Sequence, residues 1–312
     1  MSLTSARLPG GTEAAGVFRV VASYDDDRGK LRQRRLIIKH LTGRARREAS
    51  ILQDLGSGCR LLPELLGIVR GNEGHIYLGL EDVRRASVWP WRDSTITATL
   101  MRELGQFHET SSHTVPGDAW DYEHELGTQS EQTCAWLAHY CRQPDFAALR
   151  PGLRAVERVA EELPRLRKLL LGERPFEAGL IHGDVHPGNA LIRNGAGKRP
   201  VLIDWGRTRR GSPLEDVSSM LQSLRFYEPT ALQRHDTLLK EYLTGRGRDR
   251  RITDGLRSVY WVAGASNALA GALAWHLMIA ADEAKPALQR KGAYWAARDW
   301  MRVIRRAHAW AL

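Results

Sequence analysis

Leu180-Ile181-His182-Gly183-Asp184-Val185-His186-Pro187-Gly188-Asn189 opens the stretch that decides the fold, and Val201-Leu202-Ile203-Asp204-Trp205-Gly206 closes it. A short apolar run leads into a polar loop in which Asp184 and Asn189 stand five positions apart. Ala190-Leu191-Ile192-Arg193 and a turn follow, and a second apolar run delivers Asp204 just ahead of Gly206. Short apolar runs bounded by Gly and Pro read as strands with loops at their ends. Gly183 and Gly188 allow backbone shapes that a side chain would obstruct, and Pro187 fixes one dihedral. Alone, Asp-x-His-Pro-Gly-Asn is an ordinary turn. The second run, ending in Asp at the right distance, sets it apart.

An Asp, an Asn five residues on, and a later strand ending in Asp before Gly is the plan of the protein-kinase catalytic loop and its metal-binding Asp. Phosphoryl transfer from ATP needs a carboxylate beside the attacking hydroxyl and oxygen ligands that hold Mg²⁺ against the phosphates. Mg²⁺ keeps several of its waters, so one Asn carbonyl and one carboxylate suffice beside the phosphates. Zinc on His182, Asp184 and His186 is the competing metal reading. It leaves Asn189 and Asp204 without a role.

The pair of motifs, His182 to Asn189 and Ile203 to Gly206, closely resembles the aminoglycoside phosphotransferase and choline kinase family, small-molecule kinases with a protein-kinase-like fold. The resemblance is carried chiefly by Gly179–Asp216 and extends to Leu8–Val83. It implies that Asp184 is the catalytic Asp, that Asn189 and Asp204 ligate Mg²⁺, and that Asp216 braces the catalytic loop from a helix N-terminus. It implies ATP (or GTP) and Mg²⁺ as cofactors and a small hydroxyl-bearing molecule as partner. The first expectation for that molecule is an antibiotic, of aminoglycoside type or another natural product. A choline-like, sugar or amino-alcohol metabolite comes second, and a nucleotide-binding protein without catalysis third.

Towards the N-terminus, Gly10 and Gly11 stand before a β-branched run from Val17, as suits a backbone that approaches phosphates. A plain hairpin turn reads as well there; in the family this loop lies over the nucleotide. Asp25 to Lys30 reads as a hairpin turn, and Leu31 to Leu41 as a strand with Lys39 near its end. In the kinase plan such a lysine meets the α- and β-phosphates and pairs with a Glu on the next helix. Glu48 is the candidate, on a helix over Arg44–Leu55. A second hairpin joins Leu65–Arg70 to His75–Leu80, and Glu81 and Val83 then fall at a kinase hinge, where backbone groups hold the adenine.

Ser94 reads as the cap of a helix carrying Ile96, Leu100, Leu104 and Phe107, with His108 as a satisfied core histidine. Pro116 to Arg150 reads as less regular and locally acidic. Its Asp118, Asp121, Glu123 and Glu125, interleaved with Trp120 and Tyr122, suit a cationic substrate through charge pairing and cation–π contacts, or form an exposed acidic loop. Pro164 predicts a kink or break in a helix over Leu153–Leu171. Arg207, Arg209 and Arg210 read as exposed. Ser212 begins a helix. Val259 to Ala281 holds no formally charged residue and is long enough to span a bilayer. Its Gly, Ser, Asn and His, and its many alanines, predict two buried helical segments instead. Pro286 to Leu312 reads as an amphipathic helix.

Three cysteines at unpaired spacing argue against a disulfide framework and fit a reducing, cytoplasmic setting. No apolar leader follows Met1. The net charge of +10 comes from 39 Arg and 7 Lys against 36 acids, and nine of those cations lie between Arg28 and Arg47. Without an aromatic-interleaved basic repeat, the charge reads as spread over solvated faces, so neither nucleic acid nor membrane is expected as a partner. The order of elements predicts a bilobal α+β fold of protein-kinase type. An antiparallel-sheet N-lobe covers residues 1–83 and a large, mainly helical C-lobe covers 84–312.

Overall fold

The computed structural model describes residues 2–8, 14–83, 90–111, 120–174, 176–193 and 198–311. Gly10, Gly11 and Asp118 lie outside the described residues. The N-terminal part is one antiparallel sheet in the order β1-β2-β3-β5-β4. Its strands are β1 (Ser2–Arg7), β2 (Gly16–Asp25), β3 (Leu31–Leu41), β4 (Leu65–Arg70) and β5 (Ile76–Glu81). The expected hairpin between β2 and β3 is present, and the Asp26 carboxylate accepts the backbone N–H groups of Arg28 and Lys30. β1 is an addition to the expected order. All six of its residues are exposed, so no buried face wrote an alternation into its sequence; pairing with β2 defines it.

Strand geometry places alternate residues on one face. On β3 this puts Ile37, Lys39 and Leu41 together, and Leu41 is fully buried. The helix α1 (Arg47–Leu55) buries Glu48, Ala49, Ile51 and Leu52. Lys39 therefore leaves the sheet into the layer that α1 covers.

The remainder is mainly helical and completes the bilobal kinase-like fold. Its helices are α2 (Ser94–Thr110), α3 (Tyr122–Tyr140), α4 (Leu153–Gly172), α5 (Pro213–Tyr227), α6 (His235–Gly245), α7 (Asp254–Asn267), α8 (Leu273–Ala281) and α9 (Ala287–Ala311). Two small antiparallel sheets sit among them: β6 (Gly179–Ile181) pairs with β9 (Arg209–Gly211), and β7 (Ala190–Arg193) with β8 (Arg199–Leu202).

Several local expectations need correction. The cap of α2 is Asp93, not Ser94: its side chain accepts from the N–H groups of Thr95 and Ile96. α3 is a regular helix of 19 residues inside the stretch read as less regular. Its buried face includes Ser130 and Thr133 beside Tyr122, Leu126 and Leu137, so the apolar period that marks a helix is broken. α4 passes through Pro164 without ending. Pro164 is exposed, so water can serve the carbonyl that the ring leaves unpaired, while Leu163, Leu166 and Leu170 stay packed. At α5 the expected start is present as a full capping box between Ser212 and Glu215.

The uncharged run folds as α7 and α8, joined by a π-helical turn over Ala268–Ala272 in which Gly271 has φ 122°. By length and composition alone Asp254–Ala281 could cross a membrane; in this fold 56% of its most apolar window is buried.

Candidate active site

The loop after β6 is held from behind. The carboxylate of Asp216, in the first turn of α5, accepts the backbone N–H groups of His182 at 2.7 Å and Gly183 at 2.8 Å. His108 reaches the same carboxylate through Nε2 at 3.1 Å and Tyr242 through Nδ1. Burial pushes the pKa of Asp216 up, but the His108 bond, the nearby imidazoles and the backbone donor outweigh it, so the net shift is down. Gly183 has φ 82°, and a Cβ there would lie 2.3 Å from the Arg207 carbonyl. Only glycine fits that turn.

His182 is fully buried. Its Nδ1 accepts the Asp184 N–H at 3.2 Å, so Nε2 carries the proton and donates to the Ile203 carbonyl at 3.1 Å. Burial keeps this imidazole neutral by lowering its pKa. With both ring nitrogens committed it has no lone pair for zinc, and the zinc reading of residues 182, 184 and 186 falls. Among the described residues no group of three His, Cys, Asp or Glu side chains could hold a metal. Asn189 donates from Nδ2 to the Asp184 carboxylate at 2.9 Å and to its carbonyl at 3.1 Å. The backbone of Asn189 in turn accepts from Ile203. The two motifs are thus tied into one unit.

Lys39 donates to both oxygens of Glu48, at 2.8 and 2.9 Å, and also pairs with Asp204. Desolvation alone would lower the lysine pKa; the carboxylates of Glu48 and Asp204 outweigh it and raise it, so the group is an ammonium. Glu48 also accepts the Trp205 N–H, which fixes the turn after Asp204. Asp204 itself sits in the left-handed region at φ 63°, and Trp205 is fully buried against Phe107 and His182. That strained backbone presents the Asp204 carboxylate, whose side chain is 45% exposed.

One cavity of about 530 Å³ joins these groups. Lys39, Glu48, Asp184, Gly206 and Asp204 line one end; side chains of α5, α8 and α9 line the other. Asn189 stands behind Asp184 rather than among the lining residues. Two carboxylates with an adjacent amide are hard oxygen donors, and a lysine beside them can meet phosphate. This set fits Mg²⁺ and a nucleotide triphosphate, with Asp204 and Asn189 as the residues that would hold the metal.

The family model for the phosphotransferase enzyme family matches residues 7–256, more than half of the chain. The chain belongs to this family. It is a small-molecule phosphotransferase. Three solved structures share its fold at 14% identity and a TM-score of 0.57, each over 96% of this chain. They are aminoglycoside 2'-phosphotransferase-IIIa in its GDP complex (92% of that chain), an ethanolamine kinase of Plasmodium vivax (82%), and the amicoumacin kinase hAmiN with AMP-PNP, Ca²⁺ and Ami (87%). At this identity the likeness establishes the fold alone. A sequence comparison with curated proteins finds no match.

Among the described residues, the remaining expected site residues of this phosphotransferase are not among those that line the cavity. Glu81 ends β5 and pairs with Arg193 of β7, and the Val83 N–H is turned back onto the Glu81 carbonyl. Asp121 caps α3 by accepting from the His124 N–H. Glu123 is paired with Arg167, which is buried and also reaches Glu215 at 2.7 Å. Glu125 meets Arg44, Arg207 and the indole N–H of Trp120. The aromatic faces are taken too: Arg47 lies 4.7 Å from the Trp120 ring centre and Arg209 3.6 Å from that of Tyr122. Glu123, Glu125, Trp120 and Tyr122, which suited a cationic substrate, are thus occupied by the chain's own arginines. Arg209, read as exposed, is 4% exposed.

The side chains that sequence reasoning missed are those at the far end of the cavity, Ser219, Ser223, Phe226, Tyr227, Trp275 and Trp300. Their one sequence signal was the Asn, Gly and His interruptions of the uncharged run. Arg47 was also missed; it donates to the carbonyls of Gly206 and Thr208 and so pins the loop after Asp204 to α1.

Proposed function

We propose that this phosphotransferase moves the γ-phosphoryl group of ATP (or GTP) to a hydroxyl of a small molecule, with Mg²⁺ as cofactor, and that the molecule is an antibiotic or other natural product. The observation that carries the reading is the continuous cavity with Asp184 and Asp204 at one end and an aromatic chamber at the other. Asp184 orients the acceptor hydroxyl and takes its proton as the oxygen bonds to phosphorus and the bond to the leaving diphosphate breaks. Lys39, held by Glu48, neutralises phosphate charge. Mg²⁺, when bound, spreads the charge of the triphosphate. Catalysis is mainly positioning and electrostatics.

A metabolite kinase for a small amino alcohol is the second reading, favoured by the shared fold with an ethanolamine kinase. The rings on the acceptor wall favour the first, since drug-sized ligands are held mainly by apolar and aromatic side chains. The proposal puts the enzyme in the cytoplasm, where nucleotide is supplied, with no nucleic-acid or membrane partner. An assay of ATP consumption over a panel of natural products and metabolites, with mass detection of an added phosphate, tests it. Failure of every acceptor to gain phosphate above the Asp184→Ala control would reject it.

A further inference from the structure

The acceptor end of the cavity differs in chemistry from the nucleotide end. Among the described residues, the acids that line the cavity are Glu48, Asp184 and Asp204, all at the nucleotide end, with Glu48 taken by Lys39. The acceptor end is built from rings. Phe226 meets Tyr227 at 4.9 Å and His276 at 5.2 Å between ring centres, and His276 meets Trp275 at 4.7 Å. Trp300 of α9 also lines the cavity.

Among the described residues, the polar groups that α5, α7 and α8 bring to this end are uncharged: the Ser219, Ser223 and Tyr227 hydroxyls, the Asn267 amide and the His276 imidazole; Arg207, on the loop after Asp204, also lines the cavity. His276 donates from Nδ1 to the Ala272 carbonyl at 2.7 Å, since a carbonyl can only accept, and this leaves Nε2 as an acceptor. Trp275 is 53% exposed although it lines the chamber, and it also borders a second cavity of about 600 Å³ with Trp136, Tyr140 and Met278. The two charges there, Asp282 and Lys285, face each other at 3.9 Å.

A substrate with several ammonium groups needs anionic partners, because a buried charge is costly unless paired. Among the described residues this end provides none, and Glu123 and Glu125 near Trp120 are held by Arg44, Arg167 and Arg207. Rings offer stacking area and exclude water. A single small cation could use their faces, yet it would cover little of this wall and none of the second cavity beyond Trp275.

We infer that the acceptor is an uncharged, ring-bearing alcohol larger than a simple amino alcohol, seated against Trp275 and the aromatic wall beside it. This rests on the phosphotransferase reading above for the transfer step and on the chamber alone for binding.

The test uses a nitrophenyl glucoside and a flavonol glucoside as uncharged probes, with kanamycin and choline as cationic ones. Binding is measured by calorimetry without nucleotide, and transfer by mass with ATP and Mg²⁺. Uncharged probes are expected to bind and to gain phosphate. Trp275→Ala, at a half-exposed position, is expected to weaken their binding and raise their KM about tenfold, with an unchanged Tm; Trp275→Phe restores most of it. Transfer to kanamycin or choline in preference overturns the inference and leaves the kinase reading standing. Uncharged probes that bind through Trp275 but receive no phosphate from any arm sustain the inference and count against the kinase reading. No binding of uncharged probes, or binding indifferent to Trp275, overturns it.

Discussion

Asp216 accepts the backbone N–H of His182 at 2.7 Å, so a carboxylate on α5 sets the position of a loop more than thirty residues earlier in the chain. The adjacent Gly183 N–H and the His108 ring converge on the same side chain, which is 1% exposed. Removing it leaves several buried donors unpaired, at about 1–3 kcal/mol each. Asp216→Ala is expected to lose about 3–5 kcal/mol in urea unfolding, with Asp216→Asn milder because one acceptor oxygen remains. An unchanged urea midpoint in the Ala variant would contradict the bracing role.

Asp184 carries the proton transfer in the proposed reaction, and Asn189 holds its carboxylate. Asp184→Ala is expected to lower kcat about a thousandfold while the KM for ATP shifts by no more than about threefold. The half-exposed side chain can be removed without opening the core, and circular dichroism checks that the variant is folded. A variant with near-normal turnover would remove Asp184 from the chemistry.

Lys39 links Glu48 to Asp204, and in the proposed reaction its charge faces the phosphates. Lys39→Met is expected to reduce kcat/KM for ATP about a hundredfold. Glu48→Gln, which keeps a hydrogen-bond acceptor but not the charge, falls between. Chelation by EDTA should bring transfer to background and added Mg²⁺ restore it; Asp204→Asn should not be rescued at any Mg²⁺ concentration. Steady-state kinetics with ATP and Mg²⁺ varied separately distinguishes these effects.

The nucleotide end was legible because its chemistry is written locally. Asp184 and Asn189 share one loop, Asp204 ends the next hairpin, and the pleat of β3 carries Lys39 into the layer that holds Glu48. The capping box at Ser212 is likewise a contiguous signal. The acceptor end was not legible, because Phe226, Trp275 and Trp300 come from α5, α8 and α9 and meet only through packing. The acidic stretch misled for a related reason. Composition shows that Glu123 and Glu125 are acids; only the fold shows that Arg167, Arg44 and Arg207 already hold them. α3 was obscured by Ser130 and Thr133 on its buried face, and β1 by having no buried face.

Acid should destabilise the fold through its buried histidines. Burial lowers the pKa of His108, His182, His235 and His276, and for His235 it lowers the value from 6.5 to about 4. A depressed folded pKa means that the unfolded chain binds a proton first as pH falls. Stability is then full above the unfolded value near 6.5 and declines as pH drops towards the folded value. Each such group contributes a slope of about 1.4 kcal/mol per pH unit within its window, which for His235 runs from 6.5 down to about 4. Thermal unfolding between pH 7.5 and 5 is therefore expected to show a Tm that falls steadily below about pH 6.5. His235→Asn, on the first turn of α6 and away from the cavity, should flatten that fall by removing one group from the sum, at some cost in Tm at neutral pH. A Tm that holds level or rises from pH 6.5 to 5 would mean that these imidazoles already carry protons in the folded chain, and the neutral assignment of His182 behind Asp184 would fall with it.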